Sequence, residues 1–381
     1  MKRAACWLCA CLAWGCGSGG QPSDDGDDAY ALELPAGFPK PYVPAQNPLT
    51  KSKVELGRRL FYDARLSVNG TLSCSSCHQQ ALAFTDGLTH AVGATGDEVA
   101  RSSMSLVNVA YYYPYTWENP QPHTLEQQAM IPLFGELPLE LGLTGVIERV
   151  LAALKDEPSY RTLFPRAFPQ EAEPFSSQSV VSALASFERT LISGGSPFDR
   201  YAYAGDESAI SDDAKRGFEL FNTERFECYH CHAGLNFTTA YRDAASPFLS
   251  KDYENNGLYD LDGEGSYPTA SPGLVESSNN PADRGKFRVP TLRNIALSAP
   301  YMHDGSIASL DDVLEHYAAG GRAIESGPDP GDGRTNPNKS QFVRGFSYDA
   351  DEKRALLALL ESLTDEALAS DPRFANPWLS P

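Results

Sequence analysis

The chain has 381 residues, 41% hydrophobic and 21% charged, which is enough apolar content to bury two cores of ordinary size. Its net charge of -19 argues against nucleic acid or an anionic membrane surface as a partner. Four of the eight cysteines, Cys6, Cys9, Cys11 and Cys16, lie near the N-terminus, and Cys74, Cys77, Cys228 and Cys231 form two spaced pairs. A processed chain would therefore hold no cysteine for a structural disulfide.

Met1-Lys2-Arg3 followed by an apolar run through Trp14 reads as a secretory signal, too short for a membrane span. Residues 1–16 are assigned to this signal. Ala13-Trp14-Gly15-Cys16 is similar to a lipoprotein cleavage site, so Cys16 is a candidate lipid anchor and the protein is expected in the periplasm or outer envelope. Residues 17–40, rich in Gly, Ser and Asp at their start, read as a flexible acidic linker. Val54 to Tyr62 carries Leu56, Leu60 and Phe61 at helical spacing and predicts a short helix.

Cys74-Ser75-Ser76-Cys77-His78 follows. Cys-x-x-Cys-His attaches a c-type haem: the thiols add to the haem vinyl groups and the next His ligates iron. One chance occurrence has odds on the order of a few in a thousand at these residue frequencies, and a second copy stands at Cys228-Tyr229-His230-Cys231-His232. Structural zinc is the competing use of paired cysteines with histidine. The histidine directly after the second cysteine in both copies favours haem.

Ser179 to Ile192 places Val180, Val181, Leu184, Phe187 and Leu191 on one face of an amphipathic helix, which Ser193-Gly194-Gly195-Ser196-Pro197 stops. A domain boundary is placed near Tyr201 to Ile210, giving domains 41–205 and 206–381. Ahead of the second motif, Arg216-Gly217-Phe218-Glu219-Leu220-Phe221 repeats Leu56-Gly57-Arg58-Arg59-Leu60-Phe61 with the Gly and the Leu-Phe in register. The stretch from Arg242 to Lys286 reads as a long ordered loop, while Leu310 to Tyr317 and Asp351 to Leu363 predict helices. The fold class is mostly α: two cytochrome c-like helical domains, each with one covalent haem, joined by long loops.

Of seven histidines, His78 and His232 are proximal ligands, and His90, His123, His230, His303 and His316 remain open as sixth ligands. Two filled axial positions make an electron carrier, whereas an open distal side binds peroxide or oxygen. Composition leaves both readings open.

Val289-Pro290-Thr291-Leu292-Arg293-Asn294 and Ala299-Pro300-Tyr301-Met302-His303-Asp304-Gly305, with Phe84-Thr85-Asp86-Gly87, Trp117 and Leu125-Glu126-Gln127-Gln128-Ala129, resemble the bacterial di-haem cytochrome c peroxidase and MauG superfamily from about Val54 to Leu363. The resemblance implies several roles. Ala94 holds the place where peroxidases carry a distal histidine, so the first haem is expected to be open, with His90 read as a loop residue. Tyr317 matches the distal ligand of the second haem in the MauG-like branch, with His316 as its nearest competitor and Met302 as packing. Gln128 and Pro132 belong to the first distal side. Glu140 matches the distal acid that moves a proton between peroxide oxygens; Glu136 is its rival, because the alignment carries about two extra residues. Trp117 matches the tryptophan between the haems. Ser102, Ser298 and Pro300 occupy the places that hold an inter-haem calcium, Ser102 standing where the family has Asn. Arg288 and Arg293 are candidate propionate partners, His303 is a structural residue of the signature, and Phe226 lies where the branch can present an aromatic to its substrate.

The reading is an exported di-haem enzyme that uses hydrogen peroxide to form a high-valent di-iron state and oxidises a residue of a partner protein. Phe134-Gly135-Glu136 with Tyr317 places it nearest the MauG/MbnH-like branch, for which the resemblance implies a tryptophan of a copper-binding partner. The alternatives are a cytochrome c peroxidase fed by a small redox protein, and a non-enzymatic di-haem electron carrier.

Overall fold

The computed structural model describes residues 28–246 and 253–379. The expected signal and Cys16 lie outside the described residues. Twelve α-helices fall among them: α1 (Lys51–Phe61), α2 (Cys74–Cys77), α3 (Leu125–Phe134), α4 (Ile147–Asp156), α5 (Pro158–Ala167), α6 (Ser177–Glu188), α7 (Pro197–Ala204), α8 (Asp212–Phe221), α9 (Tyr229–His232), α10 (Val275–Ser278), α11 (Leu310–Ala318) and α12 (Ala350–Ser362). The strands are two-residue pieces. β1 (Tyr253–Glu254) pairs antiparallel with β2 (Phe287–Arg288), inside and just after the stretch read as loop, and β3 (Ala323–Ile324) pairs with β4 (Gly331–Asp332).

The repeat read from the sequence has a structural cause. Helix α1 crosses α6, and a Cβ on Gly57 would stand 1.9 Å from the Ala183 carbonyl oxygen; α8 crosses α12, and a Cβ on Gly217 would stand 2.1 Å from the Ala355 oxygen. Each glycine lets two backbones touch; of the Leu-Phe that follows, Leu60, Phe61 and Phe221 bury, while Leu220 is half-buried. Leu60 and Phe61 are fully buried, each contributing about 1.5–3 kcal/mol of hydrophobic stabilisation. Helix α6 departs from a one-faced pattern. Every residue from Ser179 to Glu188 is buried, because both α1 and α3 pack against it.

Two main cores result. One gathers Leu56, Phe61, Leu133, Leu154, Phe164, Leu184 and Phe187, and the other Phe198, Phe221, Phe226, Leu314, Leu356 and Leu359. The chain's last described segment returns to the first core: Leu368 and Phe374 bury there, and the Trp378 indole N–H donates to the Arg59 carbonyl at 3.0 Å. The stretch read as a linker is docked in its described part. The Tyr30 amide donates to Leu49, Phe38 is buried edge-on against Tyr111, and the Tyr111 hydroxyl donates to the Pro39 carbonyl.

Candidate functional site

Each Cys-x-x-Cys-His motif forms one helical turn that ends on its histidine. The His78 amide donates to the Cys74 carbonyl at 3.0 Å and the His232 amide to Cys228 at 2.9 Å. The ring Nδ1 of His78 lies 2.9 Å from the Phe84 carbonyl oxygen, and that of His232 lies 3.0 Å from Phe237. A carbonyl only accepts, so Nδ1 carries the proton and Nε2 keeps its lone pair for a metal. Phe84 and Phe237 both adopt left-handed φ values, 59° and 48°, which turn their carbonyls toward the rings. Burial holds both imidazoles below the usual histidine range, His232 at about 4, and so keeps them neutral, as ligation requires. Burial pushes the Cys77 and Cys228 thiols up to about 12.

The first cavity is lined by Cys74, Cys77 and His78 together with Gln128, Pro132 and Glu140, and His78 is the single histidine in its lining. Pro132 has no N–H for the Gln128 carbonyl, and its own carbonyl accepts from the Leu141 amide at 2.9 Å, which folds residue 140 back under α3. The Ala94 amide donates to the Glu140 carbonyl at 2.7 Å, and Gly93 lies so near that an added Cβ would sit 2.0 Å from the Leu139 oxygen. The segment expected to lack a distal ligand thus braces the acid. Burial pushes the Glu140 carboxyl up to about 7, well above the usual carboxylate range, which suits a group that takes and returns a proton. Glu136 is exposed and outside the lining, and His90 sits in an exposed turn 3.7 Å from Glu98.

The second cavity is lined by Cys228, Cys231, His232, Tyr317, Met302, His303 and Asn256. Helix α11, capped by Ser309, turns Tyr317 into it and His316 away; the His316 Nε2 bonds to the Asn256 carbonyl at 3.0 Å instead. Burial pushes the Tyr317 phenol up to about 12. His303 is buried and stacked on Phe287, 3.6 Å between ring centroids.

Trp117 and Arg288 line both cavities. The Trp117 indole N–H donates to the Ser102 carbonyl at 2.9 Å, and the Arg288 amide donates to the Trp117 carbonyl at 2.7 Å. The Ser102 amide donates to His303, so the inter-cavity wall is one bonded unit.

Residues 51–208 match the model of the di-haem cytochrome c peroxidase family. The methylamine utilization protein MauG of Methylorubrum extorquens is 36% identical over 93% of this chain and 91% of its own. The chain belongs to the di-haem cytochrome c peroxidase and MauG family. Cytochrome c551 peroxidase of Nitrosomonas europaea is 30% identical over 93% of this chain and 91% of that protein. The crystal structure of a MauG-like protein associated with microbial copper homeostasis superposes with a TM-score of 0.89 at 43% identity, covering 92% of this chain and all (100%) of that one. Members of this family are di-haem, peroxide-dependent oxidoreductases, and two c-type haems follow for this chain.

The residues fit that cofactor of the family. Arg288 is buried, and its Nε and Nη1 have no hydrogen-bond partner; the guanidinium rests over the Tyr112 ring at 4.7 Å, and burial lowers it to about 10. A buried cation without a counterion costs several kcal/mol, a charge that a haem propionate would neutralise. Arg293 is engaged within the protein, with only its Nη2 left unpartnered. Its Nη1 pairs with Asp199 at 2.8 and 2.9 Å, its Nε donates to the Leu235 carbonyl, and it lines neither cavity. Phe226 is buried at the rim of the second cavity, 4.7 Å from the Phe346 ring, and presents no surface.

Sequence reasoning missed Glu188 and Glu118. Glu188, the last residue of α6, lines the first cavity fully buried with Oε2 unpartnered, and burial pushes it up to about 8. Its neighbour Arg189 is taken by both oxygens of Glu126 at 2.7 and 2.8 Å. The available signal was a charge at the end of an otherwise apolar face. Glu118 lies beside Trp117, 2.9 Å from the Arg101 guanidinium.

Proposed function

We propose that the protein uses hydrogen peroxide at the first cavity to draw electrons from a residue of a partner protein, by way of Trp117 and the second cavity. The observation that carries this reading is the asymmetry of the two sites. The first places the Glu140 carboxyl beside its motif with His78 as the one imidazole in its lining, and the second places the Tyr317 phenol of α11 beside its motif, with His303 stacked on Phe287. Bound through the two motifs, the haems supply the redox chemistry, in which peroxide takes two electrons and two protons and leaves as two waters.

The chain's own residues do the rest. His78 and His232 would present their Nε2 lone pairs to the irons, and Tyr317 would serve the second iron with its phenol oxygen. Glu140 takes the proton from one peroxide oxygen and returns it to the other, so the departing oxygen leaves as water rather than as an anion. Gln128 and Pro132 shape that distal side. Trp117, touching both cavities, carries the charge between them. Arg288 holds propionate. Ser102, Ser298 and Pro300 offer hydroxyl and carbonyl oxygens, without a carboxylate, to an inter-haem calcium. Chelator treatment that leaves the haem spectra unchanged would remove calcium from this account.

The substrate class, a tryptophan of a copper-binding partner, is drawn from the MauG/MbnH-like resemblance and supported by the 43% identity to the copper-homeostasis protein. Peroxide treatment of the holoprotein with the product of a neighbouring gene, followed by mass spectrometry, tests it. Oxidation of a partner residue is the expected result. Turnover with a small redox protein and no partner modification would establish the peroxidase reading instead, and two low-spin ferric haems with no peroxide response would leave only an electron carrier. Export to the periplasm, with the signal cut before Cys16 and Cys16 lipidated as the first residue of the mature chain, is checked by the mass of the mature N-terminal peptide.

A further inference from the structure

The second motif carries a feature that the haem does not use. Glu224, Glu227 and His230 each turn one ligand atom to a common point, with these atoms all within 4.8 Å of one another. The His230 Nε2 stands 2.8 Å from Glu227 Oε2 and 3.9 Å from Glu224 Oε2. Such spacings bracket the edges of a coordination sphere whose metal bonds to imidazole and carboxylate are about 2.0–2.2 Å long.

The other atom of each carboxylate faces a neighbour, although neither oxygen of Glu227 has a hydrogen-bond partner. Glu224 Oε1 accepts from the Tyr229 hydroxyl, and Glu227 Oε1 meets the Arg344 guanidinium. What remains free is one oxygen of each, aimed at the imidazole. The Glu227 side chain is 5% exposed, and its Oε2 and the His230 Nε2 are buried atoms without a hydrogen-bond partner. The parts are also held in place. The His230 ring stacks on Phe342 at 3.9 Å and 13°, and Glu227 occupies a left-handed conformation, φ 60°, that any residue other than glycine adopts at a cost. Two carboxylates facing one guanidinium leave net negative charge for a cation to neutralise.

We propose that Glu224, Glu227 and His230 form a mononuclear site for a divalent transition-metal ion of borderline softness, zinc or copper(II), with a position open to water. One imidazole and two carboxylates suit such ions better than magnesium, which prefers six oxygens and retains its water. Glu227 also lines the second cavity, and His230 lies between Cys228 and Cys231. The ion's positive charge therefore sits at the edge of the second redox centre and raises its reduction potential, whichever substrate the enzyme serves.

The test uses chelator-stripped holoprotein titrated with Zn2+ by calorimetry and with Cu2+ by electron paramagnetic resonance. One equivalent binds, the copper signal shows a single imidazole nitrogen, excess Mg2+ does not displace it, and zinc moves the second haem's potential upward. Glu224→Gln, at a side chain 76% exposed, leaves the fold alone, and it and His230→Gln weaken binding about tenfold or more. Haem content of each variant, read from its absorbance, separates metal loss from failed haem attachment. Binding to the parent no tighter than to a variant carrying both Glu224→Gln and His230→Gln, or equal in Glu224→Gln and the parent, overturns the proposal.

Discussion

Tyr317 and Glu140 are the residues on which the two sites differ, and each makes a separable prediction. Tyr317→Phe keeps the ring and removes the donor oxygen, so both haems attach while the second centre's spectrum changes and partner oxidation falls by about 100-fold or more. An unchanged spectrum would exclude the phenol as ligand. Glu140 acts only through a transferable proton, and removing such a group costs about 100- to 10,000-fold in rate. Glu140→Gln is expected within that range, measured as the rate of reaction with peroxide under single-turnover conditions. Glu188 and Glu140 also couple stability to pH. Burial raises both above the ordinary value of 4.5, to about 8 and about 7, so the folded protein holds protons that the unfolded chain has released. Their full stability is present below about 4.5, falls as pH rises, and is lost by about 8. Glu188→Gln removes its share, and thermal midpoints measured across that window will fall less steeply than in the parent.

Among the elements, the paired crossings α1 with α6 and α8 with α12 define the frame that holds the motifs. Ala at position 57 or 217 would drive a methyl into a carbonyl oxygen of the facing helix at about 2 Å, and overpacking of this kind costs roughly 1–3 kcal/mol. Denaturant titration should place Gly57→Ala and Gly217→Ala in that range, each with a perturbed absorbance at the haem of its own core. The sequence disclosed these elements through the register of Gly57 with Gly217, and through Val180, Leu184 and Phe187 at helical spacing. It did not disclose that α6 packs against both α1 and α3, because a periodic apolar face looks the same whether its opposite side meets water or the small Ser and Ala side chains of a crowded crossing. The dissimilar neighbours Glu188 and Arg189 were equally opaque. Only the bidentate grip of Glu126 on Arg189 leaves Glu188 to the cavity.

Across the whole molecule, the division proposed between 41–205 and 206–381 is crossed at both ends of the second part: Phe198 of α7, ahead of the boundary, buries in the second core, and Leu368 and Phe374 bury in the first. The C-terminal tail crosses back to the first core: the Tyr62 hydroxyl donates to the Phe374 carbonyl at 2.6 Å, and Arg58 Nε donates to Ala375 at 2.8 Å. Truncation after Ser370 removes Phe374 and Trp378, and is expected to cost the first core about 3–5 kcal/mol. Limited proteolysis would then cut near α1 and α5 before it reaches α8 or α12. Equal protection of both cores would show that the tail is dispensable.

Covalent haem attachment was written in the sequence alone, because Cys-x-x-Cys-His is a local chemical unit whose atoms meet within a single turn. The mostly α fold and the doubled architecture were legible for the same reason, as periodicity and a six-residue repeat are local too. Tertiary structure decided what depends on convergence across the chain: Glu140 rather than Glu136 in the first cavity, Tyr317 rather than His316 in the second, and Arg293 bound to Asp199 while Arg288 remains without a counterion. Each choice turns on which face of an element meets a cavity built by residues up to two hundred positions away, and linear spacing carries no record of that meeting.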